Sequence, residues 1–212
     1  MPAGDETAAG GSAGGSVGGQ EPERVLGVLL GAGSGSRFAG GTHKLLTPYR
    51  GRPLVVHALE AMLGAGFEHN LIVTGAVDLD AVIPGDSRGL GVLSNPRWSE
   101  GQADSLRVAT RWAAEHGFDA LVVGLGDQPG IPASAWRAVG AVRSPIVVAE
   151  YRVPGRNPVK LSREVWDLLP ERGDFGARHL IRRRPDLVAR VPCEGHPFDI
   201  DTVEDLRHAA DQ

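Results

Sequence analysis

From residue 25 onward the chain alternates short, nearly unbroken apolar runs with longer segments that carry one apolar face. VLGVLL (25–30), NLIVTG (70–75), GLGVLSN (89–95), the start of DALVVGLGDQP (119–129) and PIVVAEY (145–151) predict strands covered on both faces. Between them, PLVVHALEAMLGAG (53–66) opens with proline at a first helical position and closes on glycine. DSLRVATRWAAEHG (104–117) puts Leu106, Ala109, Trp112 and Ala113 on one helical face before its glycine stop, and SAWRAVGAV (134–142) predicts another helix. Such alternation predicts an α/β domain of three αβα layers with a mostly parallel sheet. The last third changes texture. NPVKLS (157–162) and LVARVPC (187–193) read as strands, and Thr202-Val-Glu-Asp205 fits a helix cap with acids in the first turn.

Residues 1–23, MPAGDETAAGGSAGGSVGGQEPE, have no apolar run and cannot bury enough surface to offset chain entropy. They are expected to be a disordered leader, followed by one domain over 24–212. A net charge of −4 shows no broad basic face for nucleic acid or acidic membrane. No apolar stretch nears the roughly 20 residues that span a bilayer. The lone Cys193 fits a reducing, cytoplasmic setting and reads as a small buried hydrophobe.

The candidate chemistry begins at LLGAGSGSRFAGGTHK (29–44), directly after the first predicted strand. In α/β sheets ligands sit beyond the carboxyl ends of strands, and glycines let backbone N–H groups converge on an anion. A P-loop would need serine or threonine after its lysine, but Leu45 follows Lys44. A dinucleotide loop needs an acid at the end of the second strand, which here ends at Gly75 without one. A GxGxR…K loop remains, in which Arg37 and Lys44 hold a nucleoside triphosphate for transfer of its nucleotidyl group.

The segments LGAGSGSRF…K, NPRWSEGQADSL, GLGDQP, NPVKLSREVW, GDFGAR and FDIDTVEDL occur in an order and spacing that resembles the MobA-like nucleotidyltransferases. The resemblance runs over about residues 25–207 and is nearest to the molybdenum cofactor cytidylyltransferase branch. It implies a Rossmann-like nucleotidyltransferase fold and attack by an acceptor phosphate on the α-phosphorus of a nucleoside triphosphate, with pyrophosphate leaving. A phosphate monoester is largely ionised near pH 7, so no protein nucleophile or general base is required.

By this resemblance Arg37 and Lys44 neutralise developing charge. Gly31, Ala32, Gly33, Ser34, Gly35 and Ser36 cradle the nucleotide, with Gly101 and Ser105 reading base and ribose. Asp127 holds Mg²⁺ together with a late acid, Asp199 or Asp201, the family pattern favouring Asp201. Asn157, Asp174 and Arg178 meet the acceptor. Ala32, where the guanylyl-transferring branch has glycine, favours CTP, with GTP and ATP still open. The implied partners are CTP, a molybdopterin-type acceptor and a molybdoenzyme. Arg156 stands before Asn157 where the family usually has glycine, a departure at the acceptor segment; the long FAGGTHK spacing keeps methylerythritol phosphate open as acceptor, and a non-catalytic nucleotide-binding protein is the remaining rival. Trp98 and the run Arg182-Arg183-Arg184 read as packing and as a solvated helix end.

Overall fold

The first strand, β1 (Val25–Gly31), turns Leu26, Val28 and Leu30 to one side of a sheet and Leu29 to the other, and all four are buried. The structure, a computed structural model, describes residues 22–36, 38, 41–83 and 89–210. Residues 1–21 of the expected leader, and Arg37, lie outside the described residues.

After β1 come a two-residue hairpin, β2 (Pro48–Tyr49) and β3 (Arg52–Pro53), then α1 (Leu54–Leu63) and β4 (His69–Thr74). The chain continues through β5 (Leu90–Ser94), α2 (Gln102–Glu115), β6 (Ala120–Leu125), α3 (Ala133–Ala141) and β7 (Ile146–Glu150). It ends with β8 (Val159–Ser162), α4 (Arg178–Arg183), β9 (Val188–Pro192) and α5 (Val203–Ala210). The hairpin is not foreseen from the apolar pattern; Arg50 (φ 47°) and Gly51 (φ 81°) make the left-handed turn it needs.

The large sheet runs β5-β4-β1-β6-β8-β7-β9. Every pair is parallel except those of β8, which is antiparallel to both β6 and β7. One face packs under α2 through Leu106, Ala109 and Ala113, joined by Trp166, Leu180 and Ile181. The other packs under α1 and α3 through Val55, Leu59, Met62, Trp136 and Val139. These are the two helical layers the apolar runs require, since a strand buried on both faces must be covered twice. Gly124 makes the second layer fit, because a Cβ there would collide with the Trp136 indole.

The central strands deliver the site. Leu30 is in register with Val73 on one side and Leu125 on the other, so the loops after β1 and β6 leave the sheet side by side. The Gly126 N–H donates to the Leu30 carbonyl at 2.9 Å and fixes that adjacency.

Candidate active site

The glycine loop leaves β1 and folds back onto the single turn Lys44–Leu46. Gly35 has φ +60°, and a Cβ on it would lie 3.0 Å from the Lys44 Cβ, so glycine allows this close approach. His43 braces the same corner: its ring Nε2 meets the Gly33 carbonyl at 3.1 Å and its Nδ1 accepts from the Leu45 N–H at 3.3 Å. Burial is the main force lowering the His43 pKa, with the Lys44 charge adding to it. A Cβ on Gly33 would meet no described residue within 4 Å.

Lys44 is 8% exposed and leads to the centre of the site. Its Nζ donates to Asp127 Oδ2 at 2.7 Å and to Asp201 Oδ1 at 2.9 Å. Burial pulls the ammonium pKa down, but the two carboxylates outweigh it and raise it overall, so Lys44 stays charged. Asp127 stands in the loop after β6. Asp201 arrives from the far end of the sequence on an extended strap laid across the sheet's carboxyl ends. The His196 N–H donates to the Gly130 carbonyl and the Ile200 N–H to the Asp127 carbonyl. Ile200, 2% exposed, plugs into a small core with Tyr49 and Leu54. Asp199 and Asp201 flank it and both line the loop-side cavity, as alternation along an extended chain requires.

Two cavities meet here. The first, of about 630 Å³, is lined by Ala32, Gly33, Ser34, Gly35, Ser36, Lys44, Gly101, Ser105, Asp127 and Asp201. Gly31 lies beneath it, buried against Leu79 and Leu45. The second, of about 540 Å³, is lined by Asn157 and Arg178. Leu30, Gln102, Leu125, Arg178 and Asp199 line both, so the cavities share a wall. Asp174, expected on the acceptor side, lines the first cavity and not the second. Ser105 is buried with its hydroxyl accepting from Asn95 Nδ2 at 3.0 Å, which ties it to the base of β5. Gly101 (φ +104°) allows the segment around Gly173 to dock: a Cβ would come within 2.6 Å of the Gly173 carbonyl carbon. The Ala103 N–H donates to the Gly173 carbonyl, and the Gly173 N–H to that of Glu100.

Residues 27–188 match the MobA-like NTP transferase domain. The chain belongs to that family. It is 31% identical over 195 residues to the nicotine blue oxidoreductase of Paenarthrobacter nicotinovorans, covering 86% of this chain and 94% of that protein. The crystal structure of Rv0371c from Mycobacterium tuberculosis H37Rv superposes with a TM-score of 0.76 at 30% identity, over 90% of this chain and 99% of its own. Rv0371c in complex with manganese superposes with a TM-score of 0.72 at 27% identity, over 89% and 99% of the two chains.

In this MobA-like domain the wall between the cavities was the part least legible in the sequence. Gln128 is 5% exposed; its Nε2 donates to Asp199 Oδ1 at 2.8 Å, and its Oε1 accepts from Asn157 Nδ2 at 2.7 Å. This amide joins the late acids to the acceptor-side loop; the only sequence signal for it was its place next to Asp127. Burial, then the charges of Asp127 and Asp201, push the Asp199 carboxyl up. Trp98, read as packing, packs against the core and also lines the first cavity, and Arg182, read as solvated, is exposed and borders the second. Arg184 does behave as a surface group, paired with Asp186 at 2.7 Å. Cys193 is only half-buried.

The carboxylates fit a divalent cation. Among the described residues Asp127 Oδ1 is buried without a hydrogen-bond partner, beside a second carboxylate, and an all-oxygen donor set suits a hard ion such as Mg²⁺ or Mn²⁺. Among the described residues no group of three or more His, Cys, Asp or Glu gathers to hold a metal. Such an ion would therefore draw its other ligands from phosphate and water, the usual habit of Mg²⁺ in phosphoryl chemistry. No helix among the described residues is long and apolar enough to cross a membrane.

Proposed function

We propose that this chain is a divalent-metal-dependent nucleotidyltransferase that moves CMP from CTP to the phosphate of a molybdopterin-type acceptor and releases pyrophosphate. One observation carries the reading: Lys44 Nζ lies within 2.9 Å of both Asp127 and Asp201, beside a glycine loop and lining a cavity that shares a wall with a second one. That arrangement suits in-line transfer between two bound substrates. The first cavity takes the triphosphate against the loop backbone, with Lys44 and Arg37 countering charge as the pyrophosphate departs. Asp127 and Asp201 hold Mg²⁺, which supplies charge neutralisation at the phosphates. Ser105 and Gly101 border the base and ribose. Asn157 and Arg178 face the acceptor, whose ionised phosphate is itself the nucleophile, and Asp174 acts from the nucleotide side. Ala32, which lines the first cavity where the guanylyl-transferring branch has glycine, favours CTP.

The test crosses CTP, GTP, ATP and UTP with molybdopterin cofactor and methylerythritol phosphate, reading pyrophosphate release. Release with CTP and molybdopterin cofactor, abolished by EDTA and restored by Mg²⁺ or Mn²⁺, is expected. Release only with methylerythritol phosphate reassigns the acceptor, and saturable nucleotide binding without release in any cell of the panel makes the protein a sensor. The likeness to nicotine blue oxidoreductase favours a second reading, oxidoreduction of a compound such as nicotine blue in the same cleft. Consumption of NADH or NADPH on adding such a compound, with no pyrophosphate release anywhere in the panel, selects it.

A further inference from the structure

The side chain of Gln128 is buried and its amide is hydrogen-bonded at both ends. Nε2 lies 3.3 Å from the Pro197 carbonyl oxygen and 2.8 Å from Asp199 Oδ1, while Oε1 lies 2.7 Å from Asn157 Nδ2. The two ends of a side-chain amide have nearly the same shape, so the partners decide which is which. Here the Pro197 carbonyl decides. It accepts and never donates, so the end of Gln128 beside it is the N–H end. The Asp199 carboxylate asks for the same polarity. Oε1 is thereby turned to Asn157, and an oxygen in that place is matched only by the N–H end of Asn157.

Asn157 inherits its orientation from this chain of partners. An asparagine surrounded by water turns about its last bond and offers a ligand either end. For Asn157 that turn would set oxygen against oxygen, and Gln128 cannot turn in answer without opposing the Pro197 carbonyl. Retreat of the loop is blocked as well. The Asn157 carbonyl accepts from the Tyr151 hydroxyl at 2.7 Å, and Gly155 packs so closely on Pro197 that a Cβ would collide with the proline ring. Asn157 lines the second cavity, so with Nδ2 drawn to Gln128 its Oδ1 is the end left to a ligand there.

We propose that Gln128 is a positioning residue that holds Asn157 with Oδ1 toward the acceptor, and that the acceptor presents an N–H or O–H donor at that point. The nucleotidyl-transfer reading enters only in calling the occupant of the second cavity the acceptor. An ether or carbonyl oxygen in the same place meets Oδ1 lone pair to lone pair and is rejected. The N–H groups of a pterin and the hydroxyls of methylerythritol phosphate both satisfy the requirement, which adds no charge to either acceptor.

The test uses twin probes. Leu106, Val123 and Phe175 line the same cavity, which suits an aromatic ring. The ortho, meta and para hydroxyphenyl phosphates and their methoxyphenyl counterparts are titrated calorimetrically into the full-length chain without nucleotide. A hydroxyl donates and accepts, whereas a methoxy oxygen only accepts. At one ring position or more the hydroxyl twin is expected to bind about tenfold or more tighter, the usual cost of an unmatched polar group. Asn157→Leu should abolish that preference by removing the contact. Gln128→Met and Gln128→Ala should reduce it to about threefold or less, because Asn157 can then offer either end. The twins are compared within one protein, so a uniform loss of affinity or stability does not move their ratio. Twins of equal affinity at every position, no binding of any ester, or a preference that survives Asn157→Leu overturns the proposal. A preference for the methoxy twin also does so, because the second Nδ2 hydrogen then meets the ligand. A preference lost in Asn157→Leu but intact in both Gln128 variants removes Gln128 from the positioning role. Calorimetry reads binding without turnover, so the two readings fail separately. A donor preference beside a silent pyrophosphate panel sinks nucleotidyl transfer alone, and pyrophosphate release beside equal twins sinks the donor requirement alone.

Discussion

Lys44 holds together two carboxylates that start 74 residues apart in sequence, at Asp127 and Asp201. Its removal has two separable effects. Lys44→Ala should lower turnover by a factor on the order of 10²–10³, the usual loss when one preorganised charge-stabilising group is deleted. It should also lower the melting temperature of the metal-free protein, because two half-buried acids are left facing each other without a cation. Saturating Mg²⁺ should recover the melting temperature but not the rate, as followed by thermal denaturation and pyrophosphate release. Recovery of both by metal alone would make Lys44 a structural cation only. The glycine spacing and the position after the first strand made Lys44 legible. Gln128 was not, because an amide shows its importance only through the two partners that fix its orientation, Asp199 and Asn157.

At the scale of elements, the site is assembled by loops that backbone geometry forces together. The docking of the Gly173 segment onto the start of α2 depends on Gly101, which combines a left-handed φ with a contact no Cβ could share. Gly101→Ala should strain that backbone by about 1–3 kcal/mol and push the two segments apart. The expected result is a KM for the triphosphate raised about tenfold or more, with a smaller change in kcat, measured by steady-state pyrophosphate release. Helices and strands were readable because their apolar periods are local. The capping of α5 was too: Asp205 Oδ2 accepts from the Thr202 N–H at 2.8 Å, and Thr202 Oγ1 accepts from the Asp205 N–H at 3.1 Å. The reversed direction of β8 was not, since pairing partners distant in sequence decide it, and the hairpin β2–β3 was not, since strands of two residues are too short to show an apolar period.

For the whole molecule, one buried charge ties the start of the described chain to the sheet. Lys160, on the central strand β8, is 0% exposed; its Nζ pairs with Glu23 Oε2 at 2.7 Å and donates to the carbonyls of Gly140 and Val142. Glu23, expected to close a structureless leader, is therefore part of the fold. Glu23→Ala leaves that ammonium without its counter-charge and should cost about 3 kcal/mol, a fall in melting temperature of roughly 6–12 °C, by calorimetry and urea titration. Pyrophosphate release below the transition should be unchanged, because Lys160 lines neither cavity. By itself the sequence determined the layered α/β architecture, the glycine loop with its lysine, and the acids able to serve a cation. Each is written in a local pattern of polarity, spacing or backbone freedom. Only the tertiary structure decided that Asp201 meets Lys44, that Asp174 faces the first cavity, and that Gln128 bridges Asp199 and Asn157. Those facts depend on how a late strap and a short helix cross the sheet, which no stretch of chain records on its own.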